Sequence, residues 1–220
     1  MVLVHGLGRT PMSLLALSAT ARVRGYRVIN WHYRSMRATI GDAAHAFAKD
    51  VAPRLAAARR VHFITHSLGG IVVRQFLADC TLPNCGRVVM LAPPNGGAVV
   101  ADVLQRCGPL RVVVTPLGEL GTGKRSVPRN LPRASFELGV IAGSRSHIPL
   151  FDRWMGHIPN DGVVSVASTR VDGMTDFLVL HRTHTTLPWT PDAICAAFEF
   201  LEFGRFFGST FTTPESKSDP

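Results

Sequence analysis

An α/β fold, with about six mostly parallel strands and helices on both faces of the sheet, is what the sequence predicts, and three observations predict it. Short apolar runs of strand length alternate with stretches whose apolar residues recur at helical spacing, the pattern of a parallel sheet covered on both sides. One such run, Val61-His62-Phe63-Ile64-Thr65-His66, passes through Ser67 into Leu68-Gly69-Gly70 and a helix-compatible stretch. The chain of 220 residues, 46% of them hydrophobic, is long enough for one core. A domain of that size buries about 70% of its unfolded surface. A single domain over residues 1–207 follows, with no internal repeat.

Val2 to Val4 reads as a short buried strand, and His5-Gly6-Leu7-Gly8-Arg9-Thr10 as the loop after it. A helix is predicted from Pro11, suited to a first turn, through Leu14, Leu15, Leu17 and Ala21 to a stop at Gly25. Tyr26 to Trp31 is the next strand. Ala43, Ala44, Phe47, Val51 and Leu55 fall at helical spacing within 40–59, with Pro53 placed to kink that helix. After the strand and helix around Ser67 come a strand over Gly86 to Ala92, the loop Pro93-Pro94-Asn95-Gly96-Gly97, and a helix near Val99 to Leu104.

Residues 108–134 lose periodicity to Gly, Pro and Arg. The segment exceeds an ordinary connection, so it is read as a lid over a site or a flexible insertion. Phe136 to Gly143 and Asp176 to Leu180 give the last strands, and Pro191 to Phe203 a closing helix. The phenylalanines between Phe198 and Phe207 are read as core. Residues 208–220 are polar and rich in Ser, Thr and Pro, the composition of a disordered tail.

The chemistry is expected at Ser67. A strand entering a helix through a serine and glycines is the layout of a nucleophile elbow, which lifts the hydroxyl above the sheet in strained backbone geometry. Thr65 stands where such elbows commonly carry their first glycine, and its branched side chain predicts a slightly more open turn. A serine hydroxyl needs a base within hydrogen-bond reach and a carboxylate to fix that base's tautomer. His184, just past the last strand, is the candidate base and is preferred over His181. His66 is expected to point away by its adjacency to Ser67, and His32, His45, His62, His147 and His157 to be surface or packing residues. Asp161, in Asn160-Asp161-Gly162, is the candidate carboxylate ahead of Asp152, Asp172 and Asp176. The backbone N–H groups of Leu7, between two glycines, and of Leu68, at a helix N-terminus, are the candidate oxyanion donors.

Five segments carry a resemblance: Val4-His5-Gly6-Leu7-Gly8-Arg9-Thr10, Thr65-His66-Ser67-Leu68-Gly69-Gly70, Gly139-Val140-Ile141-Ala142-Gly143, Asn160-Asp161-Gly162-Val163-Val164 and Thr183-His184-Thr185. Together they resemble the α/β-hydrolase superfamily, in particular its small bacterial lipases and esterases related to the inositol-deacylase catalytic domain. The resemblance implies a short form of the α/β-hydrolase fold and a carboxylic-ester hydrolase working through an acyl-enzyme, with no cofactor. It leaves open an acyltransferase on the same three side chains, or a binding protein built on a hydrolase fold.

Composition narrows the partners. The net charge of +9 is almost wholly arginine, since lysine occurs only at Lys49, Lys124 and Lys217. No basic block or zinc-finger spacing accompanies it, so no nucleic-acid partner is expected. A small-molecule or lipid ester is the expected substrate, with peripheral contact at a lipid interface the weaker expectation. Leu117, Leu120, Trp154 and Met155 are expected near the site's mouth. Cys80 and Cys195 lie in apolar helix-like runs and are read as buried thiols, Cys80 and Cys85 are close enough to pair in an oxidising compartment, and no metal site is expected near these or Cys107. The chain lacks an apolar run of membrane-spanning length and signal-peptide features, which points to a cytoplasmic protein. Because it opens directly on a strand pattern, an upstream leader or further strands are allowed for.

Overall fold

The computed structural model describes residues 1–106, 108 and 113–208. The expected disordered tail from 209 onward, Cys107 and residues 109–112 of the non-periodic segment lie outside the described residues. Six strands form one sheet: β1 (Val2–Val4), β2 (Ile29–Trp31), β3 (Val61–His66), β4 (Cys85–Leu91), β5 (Leu138–Gly143) and β6 (Asp176–Leu180). Their order is β2-β1-β3-β4-β5-β6 and every pairing is parallel. The sheet therefore presents all its carboxyl ends to one side, where loops from different strands meet.

Side-chain alternation divides the core in two. Val2, Val4, Phe63, Val88, Met90 and Val140 share one packed cluster with α2 (Ile40–Asp50) and α4 (Leu68–Asp79). Leu3, Ile64, Val89, Leu91 and Ile141, one residue out of step along the same strands, face α1 (Leu15–Val23) and α9 (Pro191–Phe203). A one-residue slip would exchange these two faces, so both cores enforce the same register. Aromatic residues bind the first layer tightly: the Phe47 ring lies 5.0 Å from Trp31 and 4.9 Å from Phe76. In the second layer Phe198, Phe200 and Phe206 are buried, while Phe203 and Phe207 stand out into solvent.

Local chemistry explains where the helices begin and break. The Thr39 side chain accepts a hydrogen bond from Asp42 N–H at 3.0 Å and caps α2. The helix predicted over 40–59 ends at Asp50 and resumes as α3 (Ala52–Leu55), the break falling beside Pro53. The first predicted helix opens as a 3-10 turn, Pro11–Leu14, before α1. The Tyr26 to Trp31 strand is shorter than its apolar pattern, because β1 pairs only with Ile29 to Trp31.

After β4 come α5 (Val99–Leu104), α6 (Val127–Asn130), α7 (Pro149–Trp154) and α8 (Val166–Thr169). The last two were invisible to periodicity, because one or two turns are too short to show it. Arg74 reaches from α4 beneath the non-periodic segment. Its guanidinium donates to Asn95 Oδ1 at 2.9 Å and to the carbonyls of Pro128, Leu131 and Pro132 at 3.3, 3.4 and 3.1 Å. Burial lowers its pKa to about 10. The helix that starts at the elbow is thereby tied to the stretch that leads into β5.

Cysteine placement corrects the sequence reading in one respect. Cys80 and Cys195 are exposed rather than buried, Cys80 because it follows the last residue of α4 and Cys195 because it lies on the outer side of α9, and Cys80, Cys85 and Cys195 are free thiols. Among the described residues no three His, Cys, Asp or Glu side chains group as a metal site would, and no helix is long and apolar enough to cross a membrane.

Candidate active site

Ser67 stands between β3 and α4 with φ 53° and ψ −127°, a conformation that a residue with a Cβ rarely adopts. Such a position costs on the order of 1–3 kcal/mol and persists only where its surroundings enforce it. Here Ser67 N–H donates to Leu91 O and Gly70 N–H to Ser67 O, both at 2.9 Å. Close packing does the rest. A Cβ on Gly69 would lie 2.4 Å from Val4 O, and one on Gly6 would lie 2.9 Å from Ser67 Cβ. Bare backbone at these two positions lets the end of β1, the following loop and the start of α4 touch around the hydroxyl. Thr65 is fully buried in the turn, and a side chain on Gly70 would come within 3.2 Å of its Oγ1. The facing helix position thus makes room for the branched residue.

The structure brings Ser67, His184 and Asp161 together although they come from three distant segments. His184 Nε2 lies 3.0 Å from Ser67 Oγ, and His184 Nδ1 lies 2.7 Å from Asp161 Oδ2. Asp161 is wholly buried and its other oxygen accepts from Val163 N–H at 2.9 Å and Val164 N–H at 2.8 Å. Its backbone carbonyl accepts from His184 N–H at 2.9 Å. With both carboxylate oxygens engaged, the ring must present Nδ1–H to Asp161 and an unprotonated Nε2 to the serine.

The other candidates are held elsewhere. Asp152 accepts from Asn160 and pairs with His157, contacts that lower its pKa. Asp176 accepts from Phe177 and Phe206 N–H groups, Asp172 lies by a separate cleft beside Arg74, and His181 is exposed. The Leu7 and Leu68 N–H groups donate to no other group among the described residues.

His66 makes no hydrogen bond to Ser67 Oγ among the described residues and packs instead against His184. It is buried against His184 with ring centroids 4.8 Å apart, and its Nε2–H donates to the His184 carbonyl at 3.0 Å. Adjacency to Ser67 fixes only which side of the strand His66 leaves from, and the loop carrying His184 folds over that side. Burial, then the neighbouring His184, hold the His66 pKa well below its usual 6.5. His66 is therefore neutral in the folded protein, whereas the unfolded chain takes up its proton near 6.5. Its contribution to stability is complete above that pH and is lost as pH falls from there toward the lowered value in the fold. The slope is at most about 1.4 kcal/mol per pH unit for one such group. His5 and His62, whose pKa values burial also lowers, act in the same direction. Urea denaturation of the wild type and of His66→Gln between about pH 7.5 and 5.5 is expected to show a shallower decline in the variant. Parallel declines would contradict this account.

A pocket of about 240 Å³ opens over Ser67 and His184. Leu7, Val100, Leu104, Leu117, Leu120 and Phe151 are among the residues that line it, and Arg9 and Thr185 stand at its edge. Two of the four residues expected at the mouth, Leu117 and Leu120, line this pocket, whereas Trp154 and Met155 do not. Phe151, Val163 and Val164 were missed. Val163 and Val164 line the cavity while their backbone N–H groups hold Asp161, and no spacing in the sequence reports that.

Comparison with known proteins adds the family. A search of curated proteins finds no match. Among solved structures, lipase BlEst2 of Bacillus licheniformis in its propeptide form is similar at TM-score 0.75 and 18% identity, over 96% of this chain and 51% of that one. The mature form matches at TM-score 0.72 and 19% identity, over 92% of this chain and 90% of that one. The metagenomic carboxyl esterase MGS0156 matches at TM-score 0.62 and 21% identity, over 84% and 64%. These are likenesses of fold, and the chain spans about half the length of the first of them. A model described as the alpha/beta hydrolase family matches residues 1–204, so the chain belongs to that family.

Proposed function

We propose that the protein is a serine hydrolase that cleaves carboxylic esters, as an esterase or lipase, with Ser67 as nucleophile, His184 as general base and acid, and Asp161 as the carboxylate that orients it. The observation that carries the proposal is the unbroken hydrogen-bonded line from Ser67 Oγ through His184 to Asp161, at 3.0 and 2.7 Å.

In this reading His184 Nε2 takes the Ser67 proton as Oγ bonds to the ester carbonyl carbon. The carbonyl oxygen becomes an oxyanion and receives the N–H groups of Leu7 and Leu68. Preorganised donors of this kind contribute about 3–4 kcal/mol each to the transition state. Collapse breaks the bond to the leaving oxygen, which takes its proton from His184. A water molecule then gives a proton to His184 and attacks the acyl-enzyme, releasing the acid and restoring Ser67. Water is the one co-reactant, so the sequence of steps needs no cofactor. The apolar walls supplied by Val100, Leu104, Leu117 and Leu120 suit an acyl chain, which makes a small-molecule or lipid ester the substrate.

The test is labelling with a fluorophosphonate probe, mapped by peptide mass spectrometry, beside a p-nitrophenyl ester series of increasing acyl length. The expected result is a single adduct at Ser67 and turnover of the shorter esters. Wild-type protein that is neither labelled nor active would overturn the proposal.

A further inference from the structure

Beside the pocket mouth lies a second, shallower cleft of about 290 Å³, whose walls include Gly8, Arg9, His32, Arg34, Met36 and Arg37. Arg9 belongs to both cavities, since it also lines the pocket over Ser67. Three arginines thus line one cleft, and no carboxylate residue lines it among the described residues. Among the described residues none of the three arginines is in an ion pair. Glu119 is committed elsewhere, to Ile40 N–H at 2.7 Å, just beyond the loop that carries Arg34 and Arg37.

The backbone beneath these cations is tied to the loop that carries Leu7. Gly8 N–H donates to Ser35 Oγ and the Tyr33 hydroxyl donates to His5 O, both at 3.0 Å. The Tyr33 ring also stacks on His5 with centroids 4.7 Å apart. The cleft therefore keeps its position relative to Ser67.

The direction of the reaction decides which half of a substrate would meet it. His184 hands its proton to the leaving alcohol, so the alcohol half lies on the His184 side. Arg9 borders that side, because its Nη2 donates to Oγ1 of the next residue, Thr185, at 3.0 Å. Leu104, Leu117 and Leu120, which line the same pocket, are apolar and suit the acyl half. An ester with an apolar acyl chain and an anionic alcohol would match the leucines with one half and the exposed arginines with the other. Guanidinium groups meet phosphate oxygens through paired, charge-assisted hydrogen bonds.

We propose that the cleft of Arg9, Arg34 and Arg37 is a subsite for an anionic group of phosphate type on the alcohol half of the ester, a proposal that rests on the ester-hydrolase reading above. It is tested by binding and by selectivity. In calorimetry, glycerol 3-phosphate is expected to bind the wild type, and Arg34→Ala/Arg37→Ala is expected to weaken that binding at least about tenfold. In kinetics, the ratio of kcat/KM for dibutyroylglycerol 3-phosphate to that for neutral dibutyroylglycerol is expected to exceed one, and to fall by a similar factor in the double variant and with added salt. Absence of binding by the wild type, binding that survives in the variant, or equal kcat/KM for the two esters would each overturn the subsite. Arginine-dependent binding by a protein that cleaves neither ester would instead defeat the hydrolase reading and leave the anion site standing. Sedimentation with phosphatidylglycerol and phosphatidylcholine vesicles separates the sources of the anion. Arginine-dependent capture by the first alone assigns the group to a lipid headgroup, and a preference confined to dissolved esters assigns it to a soluble substrate.

Discussion

Replacing Ser67 with alanine is expected to lower hydrolysis of p-nitrophenyl butyrate by about ten-thousand-fold or more, the scale at which loss of a serine nucleophile leaves only binding and oxyanion stabilisation. The same substitution should leave folding intact. Among the described residues Ser67 Oγ has one hydrogen-bond partner, His184 Nε2, and alanine removes that contact without adding volume. Alanine inherits the positive φ of the turn, so Ser67→Gly should be the more stable variant by about 1 kcal/mol, with activity equally lost. Asp161→Asn separates catalysis from architecture. An asparagine oxygen can still accept from Val163 and Val164 N–H, but its amide would face His184 Nδ1 with a donor where an acceptor is needed. The ring would be held in the wrong tautomer, and a loss of about ten-thousand-fold with near wild-type stability is expected. A loss under about tenfold for Asp161→Asn would mean that the carboxylate is structural and would remove it from the mechanism.

Gly69→Ala is expected to be strongly destabilising, costing more than about 3 kcal/mol. Its Cβ would lie 2.4 Å from Val4 O, 2.7 Å from His5 O and 2.9 Å from Val4 C. All three are backbone atoms, and Val4 ends β1, which is paired on both sides with β2 and β3. Neither side can yield without breaking the sheet, so α4 would be driven off the strand and Leu68 N–H carried away from the pocket. Gly70→Ala provides the comparison. Its Cβ would meet Met90 Sδ and Thr65 Oγ1 at 3.2 Å and Pro93 Cβ at 3.3 Å, all side-chain atoms. A cost of about 1 kcal/mol is expected there. Urea denaturation of the two variants measures the difference, and equal stabilities would contradict the packing argument.

How far the molecule could be read in advance differs from element to element. The strands around Phe63, Val89, Val140 and Leu178 were legible because buried parallel strands write themselves as short continuous apolar runs. The long helices α1, α2, α4 and α9 were legible through their spacing. The nature of α7 and α8 was not, since four to six residues complete too little of a turn pattern. Ser67, Asp161 and His184 could be named as candidates because each sits in a loop-forming context just past an apolar run. Their mutual distances could not be named.

The amino-acid sequence by itself determined the layered α/β architecture, the elbow at Ser67 and the chain order of its three polar residues, because these depend on local periodicity and on backbone freedom within a few positions. Only the tertiary structure decided that His66 backs onto His184, that Val163 and Val164 face the cavity, and that Arg9 meets Arg34 and Arg37 at its edge. Those contacts join residues far apart along the chain. They are set by how the parallel sheet brings the ends of separate strands to one side, a distance that no spacing along the chain encodes.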